Sequence, residues 1–262
     1  MKTILITGST RGIGFGLANS FLDLGCAVVV CGRKAASVAQ AVASLAAKHD
    51  PARIFGQACD MTDFAQVQAL WDAAQAHFGQ VDIWINNAGL NSPIANFWEL
   101  PAGEIHAVVQ ANLVGAMYGA KVALSGMLAQ GFGALYNMEG SGSDGTVRHG
   151  MTLYGSTKRG LNYLTDALAQ EVKDTPLLVG AISPGMVITD MLGRDRVASD
   201  EEWQRVKRVF NILADKTETV TPWLAQRVLA NTSNGVTISW LTKAKIIGRF
   251  LSAPFSKRDL FS

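Results

Sequence analysis

Thr3-Ile4-Leu5-Ile6-Thr7-Gly8-Ser9-Thr10-Arg11-Gly12-Ile13-Gly14, at the start of the chain, decides the fold. A short β-branched run, Thr3–Thr7, enters a turn with glycines at 8, 12 and 14, and a helical pattern over Ile13–Leu24 follows at once. Glycines let such a turn tighten and let backbone N–H groups approach a pyrophosphate at the positive end of the helix. A glycine-rich turn alone also marks ordinary loops; its place between strand and helix gives it meaning. Gly8, Ser9, Arg11, Gly12, Ile13 and Gly14 are therefore candidate dinucleotide contacts.

Outward from this turn, strand-like runs alternate with helical ones. Strands are expected at Ala27–Cys31, Arg53–Cys59, Asp82–Asn86, Ala134–Met138, Leu177–Ile182 and Val236–Trp240. Helices are expected at Ala35–His49, Phe64–Phe78, Ile105–Ala129 and Leu153–Asp174. This order predicts an α/β fold, a single doubly wound parallel sheet of the Rossmann type with helices on both faces. Several strands are apolar throughout, as a sheet covered on both faces requires. Residues 1–262 read as one domain, with a charged segment at about 186–221 placed to cap the carboxyl ends of the strands and an apolar, basic tail at about 236–262.

The second strand ends Val30-Cys31-Gly32-Arg33-Lys34, without the carboxylate that usually bonds the ribose 2′-OH of NAD. Arg33, with Arg11 in the glycine turn, suits a 2′-phosphate through charge-assisted bonds, so NADP(H) is the expected cofactor. Either arginine singly reads equally well as a solvated surface residue. Asp60 and Met61 end the third strand, where Asp60 can accept from an adenine amino group. Asn87, Ala88 and Gly89 end the fourth, with small residues where backbone must come close to the cofactor.

Composition excludes other classes. The chain of 262 residues is 48% apolar and 17% charged, with a net charge of +2 from scattered Lys and Arg. That is ordered and globular in character and carries no electrostatic footprint for nucleic acid. Cys26, Cys31 and Cys59 lack disulfide or metal-ligand spacing and read as buried thiols; no metal is expected. No stretch reads as a signal peptide or as the ~20 apolar residues of a membrane span, so a soluble, cytoplasmic protein is expected.

Tyr154-Gly155-Ser156-Thr157-Lys158 places a phenol and an ammonium four residues apart on one helix face. An ammonium within ~4–6 Å favours the phenolate, so the pair can exchange a proton with a carbonyl or an alcohol. Alone, the pair reads as easily as a surface helix contact. It stands, however, with Thr7-Gly8-x-x-x-Gly12-x-Gly14, Asn86-Asn87-Ala88-Gly89, Asn112 and Pro184-Gly185. This set, in this order, resembles the short-chain dehydrogenase/reductase family over about residues 1–190. The resemblance implies that Tyr154 is the general acid/base and that Lys158 lowers its pKa and bonds the nicotinamide ribose. It implies that Asn112 holds a relay water and that an upstream serine polarises the carbonyl. Pro184, Gly185, Val187 and Thr189 would position the carboxamide. Members are often dimers or tetramers, which is the ground for expecting a homo-oligomer.

The serine departs from the family pattern. Asn-x-Ser-Ser is common after the fifth strand; here Asn137-Met138-Glu139-Gly140-Ser141-Gly142-Ser143 stands. The interval back from Tyr154 selects Ser141, with Ser143 also eligible. Glu139 is either a substrate contact or a strand-end carboxylate facing water.

The Asn137–Ser143 run, Asp82–Gly89, Ser183–Asp190, Phe210-Asn211-Ile212 and Glu218-Thr219-Val220 resemble one branch of the family, the chlorophyll b reductases. These reduce a 7-formyl group to hydroxymethyl with NADPH, which implies a small-molecule carbonyl substrate and a place in chlorophyll catabolism. Met191, Leu192, Trp203, Phe210, Trp240 and Phe250 are candidates for a wide apolar cleft, although such stripes are more often core. The tail pattern allows a peripheral membrane contact; docking on its own domain or a sister subunit is the plainer alternative. A generic reductase of small aldehydes, ketones or steroid-like compounds, and a silent NADP-binding redox sensor, complete the readings.

Overall fold

In a computed structural model, residues 1–189, 200–253 and 258–261 are described, the side chains of 200–203, 205 and 206 excepted. The chain runs β1 (Thr3–Ile6), α1 (Gly12–Asp23), β2 (Ala27–Gly32), α2 (Ala35–Ala46), β3 (Ile54–Ala58), α3 (Phe64–Phe78) and β4 (Ile83–Asn86). There follow α4 (Ala102–Val109), α5 (Gly115–Gln130), β5 (Gly133–Met138), α6 (Thr152–Glu171) and β6 (Leu177–Ser183). Then come β7 (Val187–Ile188), α7 (Asp200–Leu213), β8 (Asp215–Lys216), α8 (Thr217–Ala230), β9 (Thr237–Ser239) and α9 (Lys243–Ser252). Seven strands form one sheet in the order β3-β2-β1-β4-β5-β6-β9, every pair parallel. This is the doubly wound arrangement expected, with the order reversing between β1 and β4.

Side-chain alternation splits the core into two layers. Ile4 and Ile6 of β1 and Val28 and Val30 of β2 pack with Leu17, Phe21, Val220 and Leu224 of α1 and α8. Leu5 and Val29 point the other way, toward Leu70, Trp71, Trp84 and Met127 under α3 and α5. Both faces are thus covered, which is why these strands are apolar at every position. The three cysteines are buried, and burial pushes Cys31 up to about 12 and Cys59 up to about 11.

The expected helix at Ile105–Ala129 begins at Ala102 and ends at Gln130, passing through one π turn at Gln110–Val114. By length and composition Ala102–Gln130 could cross a membrane, which the sequence reading did not anticipate. Half of its most apolar window is buried within the protein, as for a core helix.

The charged segment expected at about 186–221 ends inside a helix. Thr217–Thr221 belongs to α8, which lies close on α1: a Cβ on Gly16 would fall 2.5 Å from Thr217 Cγ2 and 2.9 Å from Thr221 Cγ2. Pro222 inside α8 and the charged run before it hide this helix from periodicity. What remains is β7, paired with β8 in a second small parallel sheet, and α7. The expected cleft residues Met191 and Leu192 lie outside the described residues, as does the side chain of Trp203.

Candidate active site

The glycine turn is fixed by what it touches. Gly8 has φ +64°, and a Cβ there would lie 2.8 Å from Ala88 Cα. Only glycine tolerates both the left-handed backbone and that approach. Thr7 Oγ1 accepts from the N–H groups of Asn87 and Ala88, both at 2.9 Å, and Asn87 Nδ2 donates back to the carbonyls of Thr7 and Gly8. The turn after β1 and the Asn87–Gly89 turn after β4 are thereby locked together at the point where the strand order reverses. Ser9 is spent inside this lock: its hydroxyl donates to Ile6 O at 2.7 Å and accepts from Cys31 N at 3.0 Å. Its side chain is structural, which leaves a ligand only its backbone.

Arg11 is extended at the N-cap of α1, and both it and Arg33 are exposed. Gly12 (φ +57°) faces Thr189 Cγ2, 3.5 Å from the position of an added Cβ, so the turn and the 184–189 segment form two lips of one groove. A turn that requires glycine at 8 and 12, a helix N-terminus and two exposed guanidiniums fit a nicotinamide dinucleotide. Asp60 is partly committed, with Oδ1 accepting from Thr62 N and Oγ1. Met61 is core, packed against Gly115 and Cys59.

At the chemical end, Tyr154 and Lys158 lie one turn apart on α6, with Lys158 Nζ 5.7 Å from the centre of the tyrosine ring. Lys158 is buried and donates to Met138 O at 2.9 Å. The phenol oxygen lies against Gly140, where an added Cβ would collide with it. Gly142 (φ +98°) is pressed equally closely on Gly155. Ser141, half-buried, sits between these two contacts. Ser143 is buried, with its hydroxyl accepting from Gly140 N at 3.1 Å and its carbonyl from Arg159 Nη1 at 2.9 Å.

The electrostatics differ from the expectation that Lys158 makes the phenol more acidic. Burial pushes Tyr154 up to about 12. Burial likewise brings Lys158 down to about 8, against an opposing pull from Glu139. For each group desolvation by burial is the largest cause.

Asn112 lies in the π turn and is buried. Its Oδ1 accepts from Leu90 N at 2.6 Å, and its Nδ2 donates to Leu90 O and Thr157 Oγ1. Both amide hydrogens are committed, so the side chain holds the segment after Gly89 in place and has no donor left for a water. Pro184 is buried, and Gly185 (φ +71°) is pressed on Leu241, 2.5 Å from the position of its missing Cβ. Val187 is buried in β7, with Thr189 just beyond it.

Leu90 and Asn162 escaped the sequence reading, while Thr7 and Gly140 stood in its motifs without a role of their own. Of the expected cleft residues, Phe210 packs edge-on against Phe261, and Trp240 donates to Asp215 and packs on Trp223. Phe250 is exposed on α9 with Ile247 and Leu251. Two of the tail's cations turn inward, Lys245 over the Trp240 ring and Arg249 on Asp215, so α9 is held on its own domain, while Lys243 is exposed.

The parallel sheet, the glycine turn at its switch point and the Tyr154/Lys158 pair define a dinucleotide-binding protein of the Rossmann type. The chain belongs to the short chain dehydrogenase family, whose model matches residues 2–200. Curated relatives in this family are dehydrogenases and reductases acting on CH–OH and C=O groups. Chlorophyll(ide) b reductase NOL, chloroplastic, of Arabidopsis thaliana is 37% identical over 242 residues, covering 88% of this chain and 66% of its own. Probable chlorophyll(ide) b reductase NYC1, chloroplastic, of Oryza sativa subsp. japonica is 34% identical over 271 residues, covering 96% and 52%. The chain thus spans between half and two thirds of the length of these relatives. Among solved structures, levodione reductase matches with a TM-score of 0.84 at 22% identity, over 93% of this chain and 97% of that one.

Proposed function

We propose that the protein is an NADP(H)-dependent reductase of a carbonyl group, an aldehyde of the kind carried by chlorophyll(ide) b. The observation that carries the reading is the Tyr154 phenol set against Gly140, with Lys158 across its ring. The hydride would come from a nicotinamide held in the groove when the cofactor is bound. A phenol held near 12 keeps its proton throughout the neutral range, yet remains a far stronger acid than an alcohol. Tyr154 is therefore poised to give a proton to the oxygen of a carbonyl being reduced. Ser141 donates to the same oxygen, and Lys158 adds positive charge where negative charge develops. Arg11 and Arg33 hold the 2′-phosphate. Asp60, Asn87, Ala88, Gly89, Pro184, Gly185, Val187 and Thr189 line the cofactor groove. β7 and α7 cap the substrate.

The pigment aldehyde rests on the two chlorophyll(ide) b reductases, each matched over most of this chain. The test is NADPH oxidation with chlorophyllide b and with a panel of simple aldehydes, wild type against Tyr154→Phe. Turnover of the pigment by wild type and its loss in the variant are expected. Turnover of simple aldehydes alone would remove the pigment, and cofactor binding without turnover of any carbonyl would leave a silent sensor.

A further inference from the structure

Glu139 stands at a position where the family pattern commonly has serine, and the catalytic reading above gives it no role. It is half-buried rather than facing water, and its Oε1 accepts a 3.0 Å hydrogen bond from Asn162 Nδ2. Asn162 and Lys158 are one turn apart on α6, and their partners are adjacent at the end of β5: Asn162 holds the Glu139 carboxylate, while Lys158 holds the Met138 carbonyl. Asn162 is itself fixed, its Oδ1 accepting from Arg159 Nη1 at 2.9 Å, and the same nitrogen donates to Ser143 O. The carboxylate is thus fixed one helical turn along α6 from the lysine, by a network that also closes the Ser141 loop.

We propose that Glu139 is a positioning residue: its carboxylate, clamped by Asn162, is the counter-charge that holds the Lys158 ammonium beside Tyr154. An ammonium taken out of water is costly without an opposite charge near it. Glu139 supplies that charge, raising the pKa of Lys158 against the dominant effect of burial; burial likewise raises the pKa of Glu139 itself, opposed by the Asn162 hydrogen bond and by Lys158. The other charges that bear on the carboxylate are Asp166 on α6 and Asp144 in the following loop; both repel it, and Arg148 draws on Asp144. Arg159 touches the network only through Asn162 and Ser143. A serine at position 139 would leave Lys158 without this partner.

The inference rests on the Tyr154/Lys158 reading, so its test carries a readout besides turnover. Protein labelled with 13C at the lysine ε-carbon is titrated by NMR, with the Lys158 resonance assigned from Lys158→Arg. Glu139→Gln is expected to lower the Lys158 midpoint by about one pH unit and to move the alkaline limb of kcat with it. Glu139→Asp is expected to restore most of the shift. Asn162→Ala, which keeps the charge and frees the carboxylate, should give a smaller shift in the same direction and serves if Glu139→Gln does not fold. An unchanged midpoint in the folded variant overturns the proposal. If Tyr154→Phe still turns over substrate, the catalytic reading itself fails. If Tyr154→Phe is inactive while Glu139→Gln titrates like wild type, this inference alone is lost.

Discussion

Lys158 Nζ reaches across the tyrosine ring to donate a 2.9 Å hydrogen bond to the carbonyl of Met138, the last residue of β5. One side chain thereby ties α6 to the strand whose end forms the floor of the candidate site. The ammonium is buried in doing so, and the cost is legible in its pKa.

Lys158 falls from 10.5 to about 8 on folding, chiefly through burial. The unfolded chain therefore binds more protons between these values, and stability rises with pH across this window. Below about pH 8 the native state carries a penalty on the order of 3 kcal/mol. Lys158→Met, of similar shape without charge, is expected to raise Tm at pH 7 while abolishing turnover. Its advantage should fade as pH climbs through 8 toward 10.5. Thermal melts across pH decide this, and a variant less stable than wild type at pH 7 would refute it. Wild-type kcat should decline above about pH 8.

Gly140 has no room for a side chain, because a Cβ would collide with the Tyr154 phenol. Gly140→Ala should displace the hydroxyl by a fraction of an ångström. Misplacement on that scale costs roughly 100-fold in rate. We expect kcat to drop by that factor with cofactor affinity within twofold. Unimpaired turnover would mean that the phenol works from elsewhere.

The two serines separate by burial. Ser143 is enclosed and its hydroxyl caps Gly140 N, whereas Ser141 is half-buried beside Tyr154 and Gly155. Ser143→Ala should cost about 1 kcal/mol of stability and leave a working enzyme. Ser141→Ala should leave Tm unchanged and reduce kcat about 100-fold. The reverse pattern, read from paired melts and kinetics, would reassign the carbonyl donor to Ser143.

The fold was legible in the sequence because the apolar runs of β1, β2 and β4 and the glycine turn obey short-range rules. The Tyr154/Lys158 pair was legible because its spacing sits on one helix face. Long-range hydrogen bonds were not. Asn112 reaches Leu90 and Thr157, Thr7 ties down Asn87, and Asn162 takes Glu139. None of these follows from a local pattern. Burial of the phenol, which pushes Tyr154 up, likewise depends on the packed whole and does not show in the spacing. Helix α8 was missed because Pro222 and the charges before it break the period.

Arg33 is exposed just past β2, beside Gly32, whose missing Cβ would fall 2.8 Å from Thr10 Cγ2. No carboxylate competes there for a ribose hydroxyl. Arg33→Ala should weaken NADPH binding by about tenfold to a hundredfold, as loss of a charge-assisted bond implies, and NADH binding by less than threefold. Equal losses in calorimetry would remove the 2′-phosphate role.

Asp215 holds the C-terminal region in place. Its carboxylate accepts from Trp240 Nε1 at 2.7 Å, Arg249 Nη2 at 2.7 Å and Arg258 Nη2 at 2.9 Å. It is buried on β8, the strand that pairs with β7 beside the cofactor groove. Burial alone would raise its pKa, but these donors and the two guanidinium charges outweigh it and hold the group below the usual range. A depressed carboxylate stabilises the fold above its unfolded value, here 3.8, and that contribution is lost as pH falls through the lower folded value. Asp215→Asn keeps the shape and removes the charge that both guanidiniums share. We expect it to cost about 3 kcal/mol, with amide exchange accelerating first in α9. Because β7 carries Val187 and leads into Thr189, NADPH affinity should fall with it. Fast exchange confined to α9 with unaltered cofactor binding would show that the clasp ends at β8.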